Sequence, residues 1–244
     1  MIEYATNSMI GSKEKNEDAV RAFINQPLAA YGFLVADGLG GHGNGDIASN
    51  FVADCVGAAI ENAPSVDGTF IDQCFDTSQK LLMEEKEING YSSIKTTLVL
   101  LIIADGIARW GHIGDSRLYV FHEGKMVSRT FDHSVPQLLA LRKEIKEKDI
   151  RHHPQRSMLL KAMGSEWYSP EYEIDQRRKK LRKGDSFLLC SDGFWEWIDE
   201  KEMSRIIKKK ESAYDTLMEM SELVGKNGAG KDMDNYSAVF IRIN

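Results

Sequence analysis

The strands predicted from this sequence come in blocks, and a pair of helices separates the blocks. Alternating or apolar β-branched runs predict the first three strands over residues 2–10, 19–25 and 31–36. Two stretches with apolar residues at helical spacing follow them, Asp46–Asn62 and Phe70–Ile88. A doubly wound parallel sheet needs regular strand–helix alternation, so this order favours an α+β fold built on antiparallel sheet.

Most of the remaining strands are predicted after this helix pair. Residues 96–104 form an apolar, β-branched run that predicts a buried strand, and Asp-Gly, Gly-Asp and Glu-Gly breaks after it predict a meander of hairpins. The further strands are predicted over residues 107–112, 117–122, 125–130, 171–175, 186–190 and 236–243. We expect helices over residues 200–209 and 213–224, a glycine-rich loop over residues 225–231, and only short helical pieces in residues 132–165.

Length and composition limit the classes of partner and location. A chain of 244 residues can bury one sizeable core, so we expect a single domain over residues 1–244. A net charge of −6 argues against binding to nucleic acid or to an anionic membrane. The three cysteines lack a zinc or disulfide spacing, and no apolar run resembles a signal peptide or a membrane span. We therefore expect a soluble, cytoplasmic protein.

Residues 38–43 fit the spacing G-x-G-x-x-G between a predicted strand and a predicted helix. This spacing is typical of dinucleotide binding, but that motif needs a second strand within about 30 residues, and here two helices come first. Asp37 also precedes the glycines, where its charge would repel a pyrophosphate. A carboxylate beside carbonyl-rich backbone suits a hard divalent cation instead. A metal site is the stronger interpretation; a dinucleotide oxidoreductase and a plain turn are the alternatives.

Asp37 is one of several acids that lie at the ends of predicted strands. The others are Glu17, Asp18, Asp115, Asp192 and Asp234. Each alone is typical of a turn or a helix cap. Together they suggest a cage of carboxylates whose mutual repulsion is balanced by cations. Ligands that are all oxygen favour Mg²⁺ or Mn²⁺ over zinc or copper.

The ordered set of motifs that carries these acids resembles the metal-dependent protein phosphatases (PPM), the type 2C-like serine/threonine phosphatase family, in its bacterial form. The motifs are Lys13-x-x-Asn16-Glu17-Asp18, Val35-Ala36-Asp37-Gly38-Leu39-Gly40-Gly41-His42, Thr96-Thr97, Gly114-Asp115-Ser116-Arg117, Asp132-His133-Ser134, Leu188-Leu189-Cys190-Ser191-Asp192-Gly193 and Asp234-Asn235. The resemblance implies a four-layer α/β/β/α sandwich, in which helix pairs flank two antiparallel sheets and the metal site lies in a cleft at one edge. It also makes the glycine pattern a coincidental match.

The same resemblance implies a role for each acid. Asp37 is expected to bridge two Mn²⁺ or Mg²⁺ ions, and Gly38 to contribute its backbone carbonyl. Asp192 and Asp234 are expected to complete the ligands of one ion. These three aspartates are the predicted catalytic residues.

The remaining implied roles belong to the second ion, a third ion and the substrate. Glu17 and Asp18 are expected to act on the second ion directly or through water. Asp115, with Asp192, matches a weaker third-ion site, and Asn235 is expected to support the ligands from behind. Lys13 stands where the family has an arginine, and is the candidate for contact with the substrate phosphate.

The function implied is hydrolysis of phosphoserine and phosphothreonine by direct attack of a metal-bridging water. The implied partners are phosphorylated proteins that are substrates of a serine/threonine kinase, and the chain is expected to act as a monomer. Residues 132–165 are expected to form a variable, flap-like segment near the cleft, and His42 and His133 are expected to be structural. The alternative is a catalytically weak or silent binding module on the same fold, which the intact acids at 37, 192 and 234 disfavour.

Overall fold

The structure is a computed structural model that describes residues 1–39, 44–91, 93–175 and 179–244. Most of the predicted glycine segment, residues 40–43 with His42, lies outside these described residues. All the strand pairs that the structure describes are antiparallel. This confirms the antiparallel α+β prediction, and it contradicts the dinucleotide interpretation, which needs a parallel strand–helix–strand unit.

The first sheet joins the two ends of the chain. In spatial order it contains β1 (Ile2–Met9), β12 (Tyr236–Ile243), β11 (Asp185–Cys190), β7 (Arg117–His122) and β8 (Lys125–Arg129). β1 and β12 pair along their whole length, from Ile2 opposite Ile243 to Met9 opposite Tyr236. This register places the loop that follows β1 beside Asp234, which precedes β12.

The second sheet carries two of the predicted site residues on neighbouring strands. In spatial order it contains β10 (Lys179–Lys180), β6 (Ile107–Ile113), β5 (Leu98–Ala104), β3 (Ala30–Leu39) and β2 (Asp18–Asn25), while β4 (Lys95–Thr96) pairs with β3 and β9 (Glu173–Ile174) pairs with β6. The register of β2 and β3 sets Asp18 directly opposite Asp37.

Helices cover the outer faces of the two sheets. α1 (Gly45–Glu61) and α2 (Phe70–Asn89) pack on the second sheet, and α5 (Glu200–Lys209) and α6 (Ala213–Gly228) pack on the first. The short helices α3 (Val135–Leu141) and α4 (Asp192–Trp195) and a 3₁₀ turn (Glu147–Asp149) complete the described elements. None of the described helices is long and apolar enough to cross a membrane.

The middle of the sandwich is an apolar layer between the two sheets. Because successive strand residues face opposite sides, Phe187 and Leu189 of β11 enter this middle layer, whereas Leu188 and Cys190 pack against α5 and α6. A strand that is buried on both faces has a continuous apolar sequence, as in the run Phe187-Leu188-Leu189-Cys190 of β11. The four-layer α/β/β/α prediction is confirmed.

Local predictions differ from the structure at four places. The predicted loop over residues 225–231 begins too early, because α6 continues to Gly228, where a side chain would overlap Met233. The strand predicted over residues 96–104 is interrupted at Thr97, which separates β4 from β5. The elements β10 and α4 were not predicted, since two and four residues are too short for a periodic pattern.

Candidate metal centre

Five of the predicted acids lie at the same edge of the sandwich and come from both sheets. Asp18 begins β2 and Asp37 faces it from β3. Asp115 lies in the turn between β6 and β7, Asp192 begins α4 directly after β11, and Asp234 precedes β12. The fold therefore brings together acids that lie far apart in the sequence, from Asp18 to Asp234. We refer to these five aspartates as the carboxylate cluster.

Repulsion within the carboxylate cluster is visible in the acidity of its members. Burial raises the pKa of Asp18 to about 7, and the charges of Asp192 and Asp234 add to this effect. Burial likewise raises the pKa of Asp192 to about 6, with Asp234 as the next cause. The pKa values of Asp37 and Asp115 are raised by burial first and then by a neighbouring aspartate. Positive charge supplied at this edge would relieve the repulsion.

The ligand atoms of the cluster fit a hard divalent cation. Asp18 Oδ2 accepts a hydrogen bond from Ser191 Oγ at 2.8 Å, while its Oδ1 is buried and has no hydrogen-bond partner in the described part of the chain. An orphaned buried carboxylate oxygen among oxygen-only groups is suited to Mg²⁺ or Mn²⁺. Among the described residues, no three of these carboxylates place oxygens within 4.8 Å of one another; His112, His133 and Glu173 are the described group whose ligand atoms do.

The paired threonines of the sequence motif hold Asp37 in place. The backbone N–H of Asp37 donates to Thr97 Oγ1 at 2.9 Å, and Thr97 Oγ1 also hydrogen-bonds Ser116 Oγ at 2.7 Å. Thr96 Oγ1 and the Thr97 N–H both donate to the Asp37 carbonyl at 2.9 Å. The interruption between β4 and β5 thus positions a residue of the cluster.

Gly38 and Gly114 are required by the backbone around the cluster. A Cβ on Gly38 would overlap the backbone of Gly45 and Glu17, so only glycine lets β3 pass the start of α1 this closely. Gly114 has a φ of +97° and lies against Thr97, which again favours glycine. These two glycines belong to the motifs of Asp37 and Asp115.

The loop after β1 carries Glu17 and Lys13 to the cluster, and Asn235 fixes that loop. Asn235 Oδ1 accepts from the Glu17 N–H at 2.8 Å, and its Nδ2 donates to the carbonyls of Ile10 and Lys15 at 2.7 and 3.0 Å. Glu17 Oε1 accepts from the N–H of Gly45, the first residue of α1, at 2.8 Å. Asn235 therefore holds the backbone of this loop at three points.

Lys13 is the cationic side chain that extends from this loop toward the cluster. Its Nζ lies 3.3 Å from Asp232 Oδ1 and 3.8 Å from Asp234 Oδ2. Burial favours the neutral amine, but the charges of Asp234 and Asp232 outweigh it and raise the pKa of Lys13. Lys13 is therefore charged at neutral pH, next to a member of the cluster.

A buried arginine connects the Asp115 motif to the motif at residues 132–134. Arg117 donates two hydrogen bonds to Asp132, at 2.7 and 2.6 Å, and its guanidinium lies 3.5 Å from the ring centroid of Trp195. Trp195 Nε1 in turn donates to the Asp115 carbonyl at 2.9 Å. This network fixes the turn that presents Asp115, and Trp195 packs beside Asp192 as part of it.

Two stacked histidines form a second polar group, of which the sequence motifs include only His133. The His112 and His133 rings stack with centroids 4.7 Å apart, and Glu173 Oε1 lies 3.2 Å from His133 Nε2. Because the Gly114 N–H donates to His133 Nδ1 at 3.2 Å, the ring proton of neutral His133 is at Nε2. That nitrogen therefore has no lone pair for a metal, and His133 supports the turn before Asp115, in keeping with the predicted structural role.

Sequence reasoning missed one acid near the cluster. Glu196 is buried with only 7% of its surface exposed, and its N–H donates to the Asp192 carbonyl at 2.9 Å. Its only signal in the sequence is a position four residues after Asp192. Its partner Arg156, whose Nε lies 2.8 Å from Glu196 Oε1, belongs to the segment 132–165, in which only short helical pieces are predicted.

Comparison with known proteins agrees with this geometry. The family model of protein phosphatase 2C matches residues 6–236. The serine/threonine phosphatase stp of Listeria innocua is 29% identical over 245 residues, which cover 95% of this chain and 92% of the relative. The crystal structure of the serine/threonine phosphatase Stp1 from Staphylococcus aureus superimposes with a TM-score of 0.87 at 26% identity, covering 100% of this chain and 96% of that one.

One further solved structure bears on the fold alone. The catalytic domain of the serine/threonine protein phosphatase PstP, in complex with two manganese ions, gives a TM-score of 0.82 at 23% identity, and the match covers 99% of this chain and 97% of that chain. The family model spans most of the sequence, including every member of the carboxylate cluster. This chain therefore belongs to the protein phosphatase 2C family, together with the bacterial serine/threonine phosphatases.

Proposed function

We propose that this protein removes phosphate from phosphoserine and phosphothreonine side chains of proteins, with two divalent cations held by the carboxylate cluster. The observation that carries the proposal is the meeting of Asp18, Asp37, Asp115, Asp192 and Asp234 at one edge, where burial and mutual charge raise the pKa of four of them. Such repulsion between carboxylates destabilises the folded state unless bound cations neutralise their charges.

The proposed ligands follow from the positions of the side chains. Asp37, the Gly38 carbonyl, Asp192 and Asp234 would hold one ion, and Asp37 would bridge to a second ion bound by Asp18, and by Glu17 directly or through water. Asp115 and Asp192 would hold a weaker third ion. Oxygen ligands favour Mn²⁺ or Mg²⁺, and the related PstP structure contains two manganese ions.

The cations and the side chains divide the chemistry between them. When bound, two such ions would activate a water molecule for attack and supply positive charge for the phosphoryl oxygens. Lys13 extends a charged ammonium group over the same edge, where it would orient the phosphate of the substrate. Thr97 and Asn235 keep Asp37 and the Lys13 loop in position while the substrate binds.

The proposed substrates are phosphoproteins made by a serine/threonine kinase, and we propose that the chain acts as a monomeric single domain in the cytoplasm. Support for the location is that Cys55, Cys74 and Cys190 are all free thiols. Residues 132–165 would border the site as a flap. The alternative, a silent binding module, is disfavoured because the aspartates needed for cation binding are all present.

Hydrolysis of a phosphothreonine peptide tests the proposal directly. We expect phosphate release with Mn²⁺ or Mg²⁺, none after treatment with EDTA and desalting, and recovery when the cation is returned. Full turnover that persists without cations would contradict the two-ion mechanism. An intact fold that binds Mn²⁺ and phosphopeptide but releases no phosphate would favour the silent module.

A further inference from the structure

Lys95 of β4 lies beside the end of β3, two residues beyond the position opposite Asp37. The register sets Lys95 directly opposite Leu39, and the same register continues without a shift into β5. Directly opposed residues of an antiparallel pair project from the same face of the sheet, and every second residue along a strand shares that face. Lys95, Thr97, Leu39 and Asp37 therefore belong to one face of the second sheet.

This face is the one that carries the carboxylate cluster. Val35, two residues before the cluster member on β3, packs in the layer between the two sheets. Thr97 Oγ1 hydrogen-bonds Ser116 Oγ in the turn that carries Asp115. Lys95 continues the same row of side chains outward from the cluster, about 7 Å along the strand from Thr97.

The ammonium group of Lys95 has no partner of opposite charge within the described part of the chain. Its side chain is half-buried, yet it forms no ion pair or hydrogen bond with any described residue. A Cβ on Gly164 would lie 3.3 Å from Lys95 Cα, and the Gly164 carbonyl accepts from Lys86 Nζ at 2.5 Å. Burial lowers the pKa of Lys86, the charge of Lys95 lowers it further, and Glu166 opposes both effects. Two like charges therefore lie near each other on this side of the cluster.

We propose that Lys95 is a specificity-determining residue that binds an acidic side chain of the substrate, close in sequence to the phosphorylated serine or threonine. A carboxylate of the substrate would supply the opposite charge that the described residues do not offer to Lys95. It would also relieve the repulsion between Lys95 and Lys86. This inference rests on the proposed function, because it names the class of phosphopeptide that the same site prefers.

Lys95 lies farther from the cluster than Lys13 does. Lys13 Nζ lies 3.8 Å from Asp234 Oδ2, so it is near the place where the cations would hold the phosphate. Lys95 forms no ion pair with any of the five aspartates, all of which are described, and it lies one strand repeat beyond Thr97. It therefore fits a group roughly two residues from the phosphorylated residue along an extended peptide.

Pairs of phosphothreonine peptides that differ at one position measure this preference. One peptide of each pair carries Glu and the other Gln, at each of the three positions on either side of the phosphothreonine. We expect the wild type with Mn²⁺ at low ionic strength to have a higher kcat/KM for Glu than for Gln, by about twofold to fivefold, at one or two of these positions. The preference should shrink when salt is added.

Charge variants of Lys95 test whether this residue causes the preference. Lys95→Gln should remove it, and Lys95→Glu should favour a peptide with Lys over its Gln twin at the same position. Lys80→Gln is the matched control, since Lys80 is an exposed lysine of α2 that pairs with Glu84, and it should keep the wild-type ratio. A Glu-to-Gln ratio that is the same in wild type and Lys95→Gln would overturn the proposal. An equal loss of kcat/KM on both peptides would overturn it too, because Lys95 would then act on the phosphate or on the fold.

Competitive acetylation of lysines supplies a readout that needs no turnover. Unphosphorylated forms of the same peptides are added to the wild type with Mn²⁺, and acetylation of Lys95 is quantified by mass spectrometry. The Glu peptide should slow the acetylation of Lys95 more than the Gln peptide does, and neither should affect Lys80. Equal acetylation of Lys95 with both peptides would contradict the acidic contact.

Failure of this inference is distinguishable from failure of the proposed function. Mn²⁺-dependent release of phosphate at equal rates from the Glu and Gln peptides of every pair would remove the role of Lys95 alone. Absence of phosphate release from every peptide, with Mn²⁺ and with Mg²⁺, would overturn the proposed phosphatase activity itself.

Discussion

Asp18 and Asp37 lie directly opposite each other on β2 and β3, at the edge where the two sheets meet. Like charges at directly opposed positions of an antiparallel pair are destabilising. Burial raises the pKa of Asp37, and the charge of Asp18 is the next cause. Repulsion between these two carboxylates therefore lowers the stability of the metal-free protein, and unfolding measurements can detect the effect.

Asp18→Asn should stabilise the metal-free protein at pH 8. Burial raises the pKa of Asp18 from 3.8 to about 7. Between these values the folded state retains a proton that the unfolded state has lost, so stability falls as pH rises. The stabilisation of Asp18→Asn over wild type should be near zero at pH 4 and about 1–4 kcal/mol above pH 7. Urea unfolding in EDTA at several pH values measures it.

Mn²⁺ should reverse the order of stability of these two proteins. The wild type gains stability from bound cations, whereas Asp18→Asn has lost a ligand and gains less. The stability of Asp18→Asn relative to wild type should therefore change with pH and with Mn²⁺. A stability difference that is the same at pH 4 and pH 8, or that persists in saturating Mn²⁺, would contradict a role of the Asp18 carboxylate in cation binding.

Asp37, Asp192 and Asp234 should act as one unit in turnover. Replacing any of them with Asn should lower kcat at least about 100-fold, since metal catalysis supplies several kcal/mol to the transition state. Asp232→Asn is the control, because Asp232 is two residues from Asp234 and its side chain is 87% exposed. Steady-state kinetics and Mn²⁺ calorimetry should agree; an Asp37→Asn protein with most of its activity and affinity would contradict the bridging role.

Asp115→Ala should separate turnover from tight cation binding. Asp115 lies in a hairpin turn that is fixed by its own carbonyl, which accepts from Trp195 Nε1, so removal of the carboxylate should leave the turn in place. We expect two tight Mn²⁺ sites to remain while kcat falls, because a weaker third ion is lost. Calorimetry that shows loss of a tight site instead would make Asp115 a ligand of the central pair.

The long elements could be predicted from the sequence because each repeats a strong local pattern. α1, α2 and the apolar β5 lie within one or two residues of their predicted ends. The end of α6 could not be predicted, since glycine is usually unfavourable inside a helix. Gly225 and Gly228 nevertheless lie inside α6, at positions where a Cβ would meet Tyr236 and Met233. That contact depends on the tertiary fold.

The same distinction applies to the site. The aspartates could be found because each lies beside a predicted strand end and belongs to an ordered motif. Glu196 could not, because any helix can carry an acid four residues after another, and its meaning comes from Arg156, forty residues away in an irregular segment. Likewise, Glu173 reaches His133 through the pairing of β6 with the two-residue strand β9, which sets Glu173 opposite His112.

Lys13→Ala should lower kcat/KM on a phosphothreonine peptide by one to two decades. The side chain of Lys13 lies beside Asp234 and is only 36% exposed, and its pKa is raised, so it presents a full positive charge. Loss of one charge-assisted contact with the phosphate corresponds to roughly 1.5–3 kcal/mol. The loss should appear mainly in KM if the contact is equally strong in the ground and transition states. Lys13→Arg should keep or improve activity, because a guanidinium can engage two phosphoryl oxygens.

Lys15→Ala is the matched control for this experiment, since Lys15 lies two residues away, carries the same charge and has its Nζ 2.6 Å from Asp46. It should leave kcat/KM within about twofold of wild type, as expected of a surface ion pair. Calorimetry must accompany the kinetics, because Lys13→Ala also removes a positive charge beside Asp234 and should tighten Mn²⁺ binding. A fall in kcat/KM together with tighter Mn²⁺ binding would assign the lost energy to the phosphate. An unchanged kcat/KM would mean that Lys13 only pairs with Asp232 and Asp234, and that the cations alone hold the phosphate.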